Sequence, residues 1–221
     1  MGFANVFNKY GRWAFYTGNT STFEVSERSR HLSRLARGTL ERLKQTHSLP
    51  SSASLVIHHS VRIGRDDRTA ILKAVREVAP DASATFVWIN SHSNSRMFDR
   101  KPETDGSVRR GSYVSLSRQR ILLSTTGSNP YRKAMGTPHP LELTALHFAS
   151  RDEDPSDYDQ RSLALQVLSL TKLNWASTDA FCGEPITIKY ASDIAYLTAA
   201  FLRQREPFTL HPTLEATPWF I

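Results

Sequence analysis

Hydrophobic and polar residues follow helical spacing in four parts of the chain. From Ser26 to Thr46, leucine and alanine residues recur at the i, i+3 and i+4 spacing that places them on one face of a helix. A second helix is predicted from about Asp66, with Asp66 as its N-cap. Two more are predicted, from Asp154 to about Leu170 and from Tyr190 to about Arg203.

Short apolar runs predict strands between these helices. The clearest are Ser54 to His58 and Ala84 to Asn90, which are continuous, as is typical of strands buried on both faces. The first residues, Gly2 to Asn8 and Arg12 to Thr17, predict a β-hairpin. Further extended segments are predicted at Ser112 to Leu116, Arg120 to Ser124, Leu141 to Ala149 and Ile186 to Ile188. The alternation of strands and helices predicts an α/β layered domain.

The charge of the chain favours a polyanionic partner. Among 221 residues, 28 are Lys or Arg and 21 are Asp or Glu, which gives a net charge of +7 and a pI near 9.7. Nine basic and three acidic residues lie between Arg96 and Lys133, in a segment that is either a solvated loop or a contact surface. No apolar run reaches the roughly 18 residues of a membrane span. No secretory signal is recognised, so we expect a cytoplasmic protein without a membrane partner.

Several reactive residue types have an ordinary structural explanation. Cys182 is the single cysteine, so it forms no intramolecular disulfide, and we expect a plain packing role. His58 and His59 are interpreted as structural histidines, because no Cys/His spacing typical of zinc is present. Asp66-Asp67 is expected to complement the dipole of a helix N-terminus. The acidic residues between 152 and 159 are expected to form a solvated turn.

Four segments resemble a known family. The most specific is Leu168 to Ala199, which contains LTK-x-NW and then PITIKYA at the start of a helix. The others are Gly136 to Leu143 (GTPHPLEL), Val56 to Arg62 (VIHHSVR) and the terminal Pro218-Trp219-Phe220-Ile221. In their order along the chain, over residues of about 50 to 221, the segments resemble the C-terminal part of the PIWI domain of a prokaryotic Argonaute.

The resemblance implies an RNase H-like α/β fold for residues 1–221, with 206–221 as its C-terminal tail. The MID domain of the family is not recognised. The first sheet strand is either absent or is Gly2 to Asn8, which contains no carboxylate. We therefore expect a split Argonaute, in which a second polypeptide supplies the MID domain and the missing strand. The rival interpretation is a self-contained half-PIWI domain with a rewired sheet edge.

The resemblance also implies a chain that does not cut nucleic acid. RNase H-like enzymes hold two metal ions with clustered carboxylates. Two of those positions align with Ser60 and Ser192, whose neutral hydroxyls are weak ligands for hard cations. Asp193 is turned by about 100 degrees onto another helix face. Glu24 or Glu27 matches an inserted glutamate, but one carboxylate cannot hold two metals. No cofactor for catalysis is expected.

Guide binding is implied for five residues. The resemblance places Lys172, Lys189 and Tyr190 near the 5′ end of a guide strand, where lysines pair with phosphate. It makes Ile221 a terminal carboxylate that can share Mg²⁺ with a 5′ phosphate. Arg62 is expected to contact backbone phosphate. The alternative for Tyr190 is a core aromatic residue.

The function implied is guide-dependent recognition of RNA or DNA without cleavage, in prokaryotic defence against plasmids or phages. An effector subunit is an expected further partner. Two alternatives stay open. One is a metal-dependent nuclease with a relaxed site that uses Glu27, Asp66 or Asp193. The other is a protein-interaction scaffold whose basic segment, Arg96 to Lys133, contacts an acidic partner.

Overall fold

The computed structural model describes residues 2–19, 23–101, 105–128, 137–152, 154–174 and 182–203. The described residues form seven strands and four α-helices, with a short 3-10 helix before the first of them. The strands are β1 (Gly2–Phe7), β2 (Trp13–Asn19), β3 (Ser54–His59), β4 (Ser83–Asn90), β5 (Tyr113–Ser115), β6 (Arg120–Leu123) and β7 (Leu141–Phe148). The helices are α1 (Arg28–His47), α2 (Arg65–Val78), α3 (Gln160–Leu170) and α4 (Ile186–Arg203), and the 3-10 helix is Val25–Glu27.

Five strands form one mixed sheet in the order β3-β4-β7-β6-β5. Strands β3 and β4 are parallel, and helix α2 supplies the crossover connection that parallel strands need. Strands β7, β6 and β5 extend the sheet by antiparallel pairing. The sequence therefore predicted the α/β class and the five strands of this sheet correctly.

Helices cover both faces of this sheet. Along β4, Phe86 points to one face, while Val87 and Ile89 point to the other, because side chains alternate along a strand. Phe86 packs with side chains of α1 and α2, including Leu40 and Val75. Val87 and Ile89 pack with side chains of α3 and with Ile188 of α4. No helix in the described part of the chain is long and apolar enough to cross a membrane.

The hairpin is confirmed, but it stands apart from the large sheet. Strands β1 and β2 pair antiparallel as a separate two-stranded sheet that packs against α1 and α4. The side-chain Oδ1 of Asn8 accepts hydrogen bonds from the backbone N–H groups of Tyr10 and Arg12 at 2.9 and 3.0 Å. Gly11 has φ +76°, a conformation that suits glycine. The interpretation of Gly2 to Asn8 as a strand of the main sheet is therefore wrong.

Three predicted helix starts are also corrected. Helix α4 begins at Ile186, so Ile186–Ile188 is helical rather than extended, although its two isoleucines favour strands. Both are buried, and tertiary packing overrides the local preference. Helix α3 is capped by Asp159, not Asp154, because Ser156 forms a β-bridge with His147. The N-cap of α2 is Gly64, not Asp66.

Asp67 ties helix α1 to helix α2. Its carboxylate accepts hydrogen bonds from Ser29 Oγ at 2.6 Å and from the Gly64 N–H at 3.3 Å. It also forms an ion pair with Arg28 at 2.9 Å, and the residue is only 8% exposed. Asp66 beside it is exposed. The Asp66-Asp67 pair thus lies at a helix N-terminus as predicted, and only Asp67 has a buried tertiary role.

Candidate nucleic-acid interface

The end of β3 is joined to the first turn of α4 by a histidine. His58 Nδ1 lies 2.8 Å from Thr187 Oγ1. The other ring nitrogen, Nε2, is shielded from solvent and has no hydrogen-bond partner in the described structure. This contact brings the segment that follows β3, which holds Ser60 and Arg62, towards the helix that holds Lys189.

Both histidines at the end of β3 are held neutral. Burial is the main cause that lowers the pKa of His58 to about 4, and the neighbouring His59 lowers it further. Burial likewise lowers the pKa of His59 to about 4, against the opposing hydrogen bond to the Val61 carbonyl. Neutral rings contribute no positive charge towards phosphate at neutral pH. The structural role expected from the sequence agrees with these contacts.

The two serines at the predicted catalytic positions are exposed. Ser60 directly follows β3, and its backbone carbonyl accepts a hydrogen bond from Trp88 Nε1 at 3.0 Å. Ser192 lies in the second turn of α4. Among the described residues, no group of three or more His, Cys, Asp or Glu side chains is arranged to hold a metal ion. The loss of catalysis stays a prediction.

The carboxylates of the alternative nuclease site do not come together as one cluster. Asp193 forms an ion pair with Lys189 Nζ at 3.0 Å, one helical turn earlier. The hydrogen bond from Asp193 raises the pKa of Lys189. Glu27 lies in the 3-10 helix, half exposed, 3.8 Å from His31. Asp66 lies in the first turn of α2.

Two of the predicted phosphate contacts are exposed cations. Arg62 lies in the segment between β3 and α2, and Lys172 lies in the turn after α3. Neither side chain has a hydrogen bond or ion pair with another described residue. Lys189 differs from them, because Asp193 offsets its charge. Arg62 and Lys172 are therefore the predicted contacts with charge available for a ligand.

Tyr190 has a different environment. It is 3% exposed and packs with Leu170, Ile186 and Phe7 at the corner between α3 and α4. Its hydroxyl points towards the Leu173 carbonyl at 3.5 Å. The ring is therefore enclosed in the core in this structure. Ile221, with the predicted terminal carboxylate, lies outside the described residues.

The basic segment is partly structural, which charge counting did not indicate. Arg120 donates two hydrogen bonds to Glu142 Oε1, at 2.6 and 3.0 Å. Ser93 Oγ donates to the other carboxylate oxygen of Glu142 at 2.8 Å. Arg110 donates to the Leu168 carbonyl at 3.0 Å, near the end of α3. These arginines hold the segment against the sheet and α3. The sequence signal for this structural role was Glu142, an acidic residue within a predicted apolar strand.

The fold is similar to those of solved bacterial and archaeal Argonaute structures. No protein-family model matches the sequence. No curated protein matches it either. A structure of Aquifex aeolicus Argonaute is similar to this chain, with a TM-score of 0.67 and 20% sequence identity. The match covers 98% of this chain and 27% of the Aquifex chain. A second structure, with externally bound siRNA, matches 93% and 24%, with a TM-score of 0.63 and 20% identity.

A third similar structure is the Methanocaldococcus jannaschii Argonaute in complex with guide DNA. It matches 99% of this chain and 30% of its own, with a TM-score of 0.59 and 12% identity. The chain thus spans 24–30% of the length of these proteins. At such identities the likeness concerns the fold. The mixed α/β architecture is consistent with an RNase H-like, PIWI-type fold.

We predict that acidification destabilises the fold through His58 and His59. Their pKa values fall from 6.5 in the unfolded chain to about 4 in the folded chain. Between these values the unfolded chain binds protons that the folded chain does not, so the free energy of unfolding decreases as pH falls from 6.5 to 4. The expected loss is up to about 3 kcal/mol per histidine.

Urea unfolding between pH 7 and pH 4 measures this dependence. His58→Asn should reduce the dependence of the unfolding free energy on pH between 6.5 and 4, because unfolding then takes up about one proton fewer. His92→Asn, at an exposed histidine, should leave the slope unchanged. Equal slopes for His58→Asn and the native chain would contradict the prediction.

Proposed function

We propose that this chain is a PIWI-type unit that takes part in guide-dependent recognition of nucleic acid and does not cut it. The observation that carries the proposal is the fold match over almost the whole chain, which includes an Argonaute described in complex with guide DNA. The positive charge of the chain supports a nucleic-acid partner. The unit corresponds to the C-terminal part of a PIWI domain.

Lys172 and Arg62 are the proposed phosphate contacts. Both are exposed and uncompensated in the described structure, so each can release a counterion when it binds a phosphate. Lys189 is a proposed contact as well, but its ammonium group must leave the Asp193 carboxylate to pair with a phosphate. We assign Tyr190 a positioning role, because its buried ring packs between α4 and the α3 corner.

A Mg²⁺ ion held by a guide 5′ phosphate and the Ile221 carboxylate remains part of the proposal. The chemistry fits, because hard cations take oxygen ligands. Ile221 would supply one oxygen, and the phosphate would supply others.

The proposal that the chain does not cut nucleic acid rests on the chemistry of two positions. Two-metal cleavage needs carboxylates that bridge the ions. Ser60 and Ser192 offer hydroxyls instead, and Asp193 is engaged by Lys189. A defence role against plasmids or phages, through an associated effector, is proposed from the family resemblance.

The sheet edge at β3 supports a protein partner. In the described structure β3 pairs on one side only, with β4, and Val56 on it is 36% exposed. An open, apolar edge is a template for another strand. We propose that a second polypeptide, which also carries the MID domain, supplies that strand.

The chain alone is therefore expected to self-associate. Size-exclusion chromatography with light scattering measures its mass, and Val56→Lys should reduce association, because a lysine blocks an edge strand. Val25→Lys, at a residue that is 84% exposed and lies outside the sheet, is the matched control. A stable monomer at all concentrations would contradict the proposal that the sheet lacks a strand that a second polypeptide supplies.

Guide loading is tested by what the chain retains from cells. Purification at moderate salt, extraction, 5′ labelling and a denaturing gel should show short strands of narrow length. Lys172→Gln should lower the affinity for such strands by about fivefold at 0.1 M salt, as expected for one phosphate contact. Lys44→Gln, at an exposed lysine on α1, should have no such effect.

The alternative outcomes are separable. Bound strands of every length would indicate binding without guide selection. Absence of bound strands, together with binding that does not depend on salt, would favour the protein-interaction scaffold.

Absence of cleavage is tested with Mg²⁺ and Mn²⁺. Single strands and guide-target duplexes incubated with the purified chain should remain intact. If cleavage occurs and is lost in Glu27→Ala or Asp193→Ala, the relaxed-site nuclease is the correct function. Activity that survives both substitutions would instead point to a contaminating nuclease.

A further inference from the structure

A basic groove runs between α1 and α2, on their outer side. Its volume is about 340 Å³. These two helices cover the face of the sheet opposite to α3, as the two sides of β4 show. The groove is therefore separate from Lys172, in the turn that follows α3. It is lined by Ser29, Arg30, Ser33, Arg34 and Arg37 of α1 and by Ala70 and Lys73 of α2.

The cations of the groove form a row. Arg30, Arg34 and Arg37 occupy positions i, i+4 and i+7, which places them on one side of α1 over roughly 10 Å. Lys73 faces them from α2. Arg37 is paired with Glu77. The side chains of Arg30, Arg34 and Lys73 are exposed, and none has a hydrogen bond or an ion pair with another described residue.

Within the described fold, Arg37 is the one cation of this row that has an acidic partner, Glu77. Helix α1 carries six lysines and arginines against one glutamate. Like charges one helical turn apart, such as Arg30 and Arg34, destabilise a helix. An anion between the helices would remove that repulsion. Asp67 of α2 accepts a hydrogen bond from Ser29 and pairs with Arg28, both of α1. These contacts fix the two helices to each other, so the groove forms without a ligand.

The lining favours a nucleic-acid backbone over an acidic peptide. Arginine presents a planar fork of donors that matches phosphate oxygens. Ala70 is the only residue of the lining that has a wholly apolar side chain. The extended row of cations suits successive phosphates along a strand.

We propose that the α1–α2 groove binds the phosphate backbone of nucleic acid, independently of sequence and of a 5′ phosphate. Arg30, Arg34 and Lys73 each contact phosphate, and Arg37 lies beside them. This contact goes beyond the guide contact at Lys172, which lies on the other face of the sheet. Arg62 lies nearer to the groove, because its carbonyl accepts a hydrogen bond from Arg28 of α1 at 2.7 Å. It gives the chain a second place to hold a strand.

Fluorescence anisotropy with labelled, 5′-hydroxyl single-stranded DNA of about 20 nucleotides tests the proposal over about 50 to 400 mM NaCl. The triple variant Arg30→Gln, Arg34→Gln and Lys73→Gln should bind roughly tenfold to a hundredfold more weakly at 0.1 M salt. The slope of log K against log salt should become shallower by about 2, which corresponds to three lost contacts at about 0.7 each.

The control variant has the same change in net charge. It combines Lys9→Gln, Arg12→Gln and Lys44→Gln, three exposed cations outside the groove. Its slope should remain within about 0.5 of the native value, because it removes no phosphate contact. Circular dichroism melting verifies that both variants fold, and glutamine preserves helix propensity on α1 and α2.

Two results would overturn the proposal. One is an equal loss of affinity in both triple variants, which would mean that net charge alone attracts DNA. The other is polyglutamate that competes as well as unlabelled DNA, which would assign the groove to acidic proteins. Because the probe lacks a 5′ phosphate, a failure of the groove is distinguishable from a failure of guide loading through Lys172.

Discussion

Burial of β4 from both sides is the constraint on which the remaining structure depends. Phe86 and Val87 are neighbours in sequence, are at most 1% exposed and point into different cores. A strand with two apolar faces needs a layer on each side, and α1 with α2 on one side and α3 on the other satisfy that need. The placement of Arg62 and Lys172 agrees with this arrangement, because both are exposed in segments that connect the layers.

The same constraint explains which elements were predictable from sequence. A strand buried on both faces is a continuous apolar run, and both such strands were found within one or two residues of their observed ends. Ile186–Ile188 has the same composition, yet it is the first turn of a helix. Local composition cannot distinguish these cases, because the partner that buries Ile186 is Tyr190, one turn later, together with Leu170 on α3.

Polar contacts were harder to predict than the strands, because each depends on residues far apart in sequence. Asp67 and Asp66 are adjacent and chemically identical, but only Asp67 reaches Ser29 on the neighbouring helix. The charge count treated Arg120 as one of many loop cations, whereas Glu142 fixes it to the sheet. The useful distinction is between cations compensated by a tertiary partner and cations left exposed, and this distinction requires coordinates.

The hairpin has a consequence for the dynamics of the chain. Strands β1 and β2 exchange backbone hydrogen bonds with each other and with no strand of the large sheet. Their attachment depends on side-chain packing, such as Phe7 against Tyr190, whose ring centroids lie 6.4 Å apart. An element held in this way forms its own cooperative unit, with a lower opening free energy than the five-stranded sheet. Its amide hydrogens would therefore exchange with solvent by local opening, while those of β4 would wait for global unfolding.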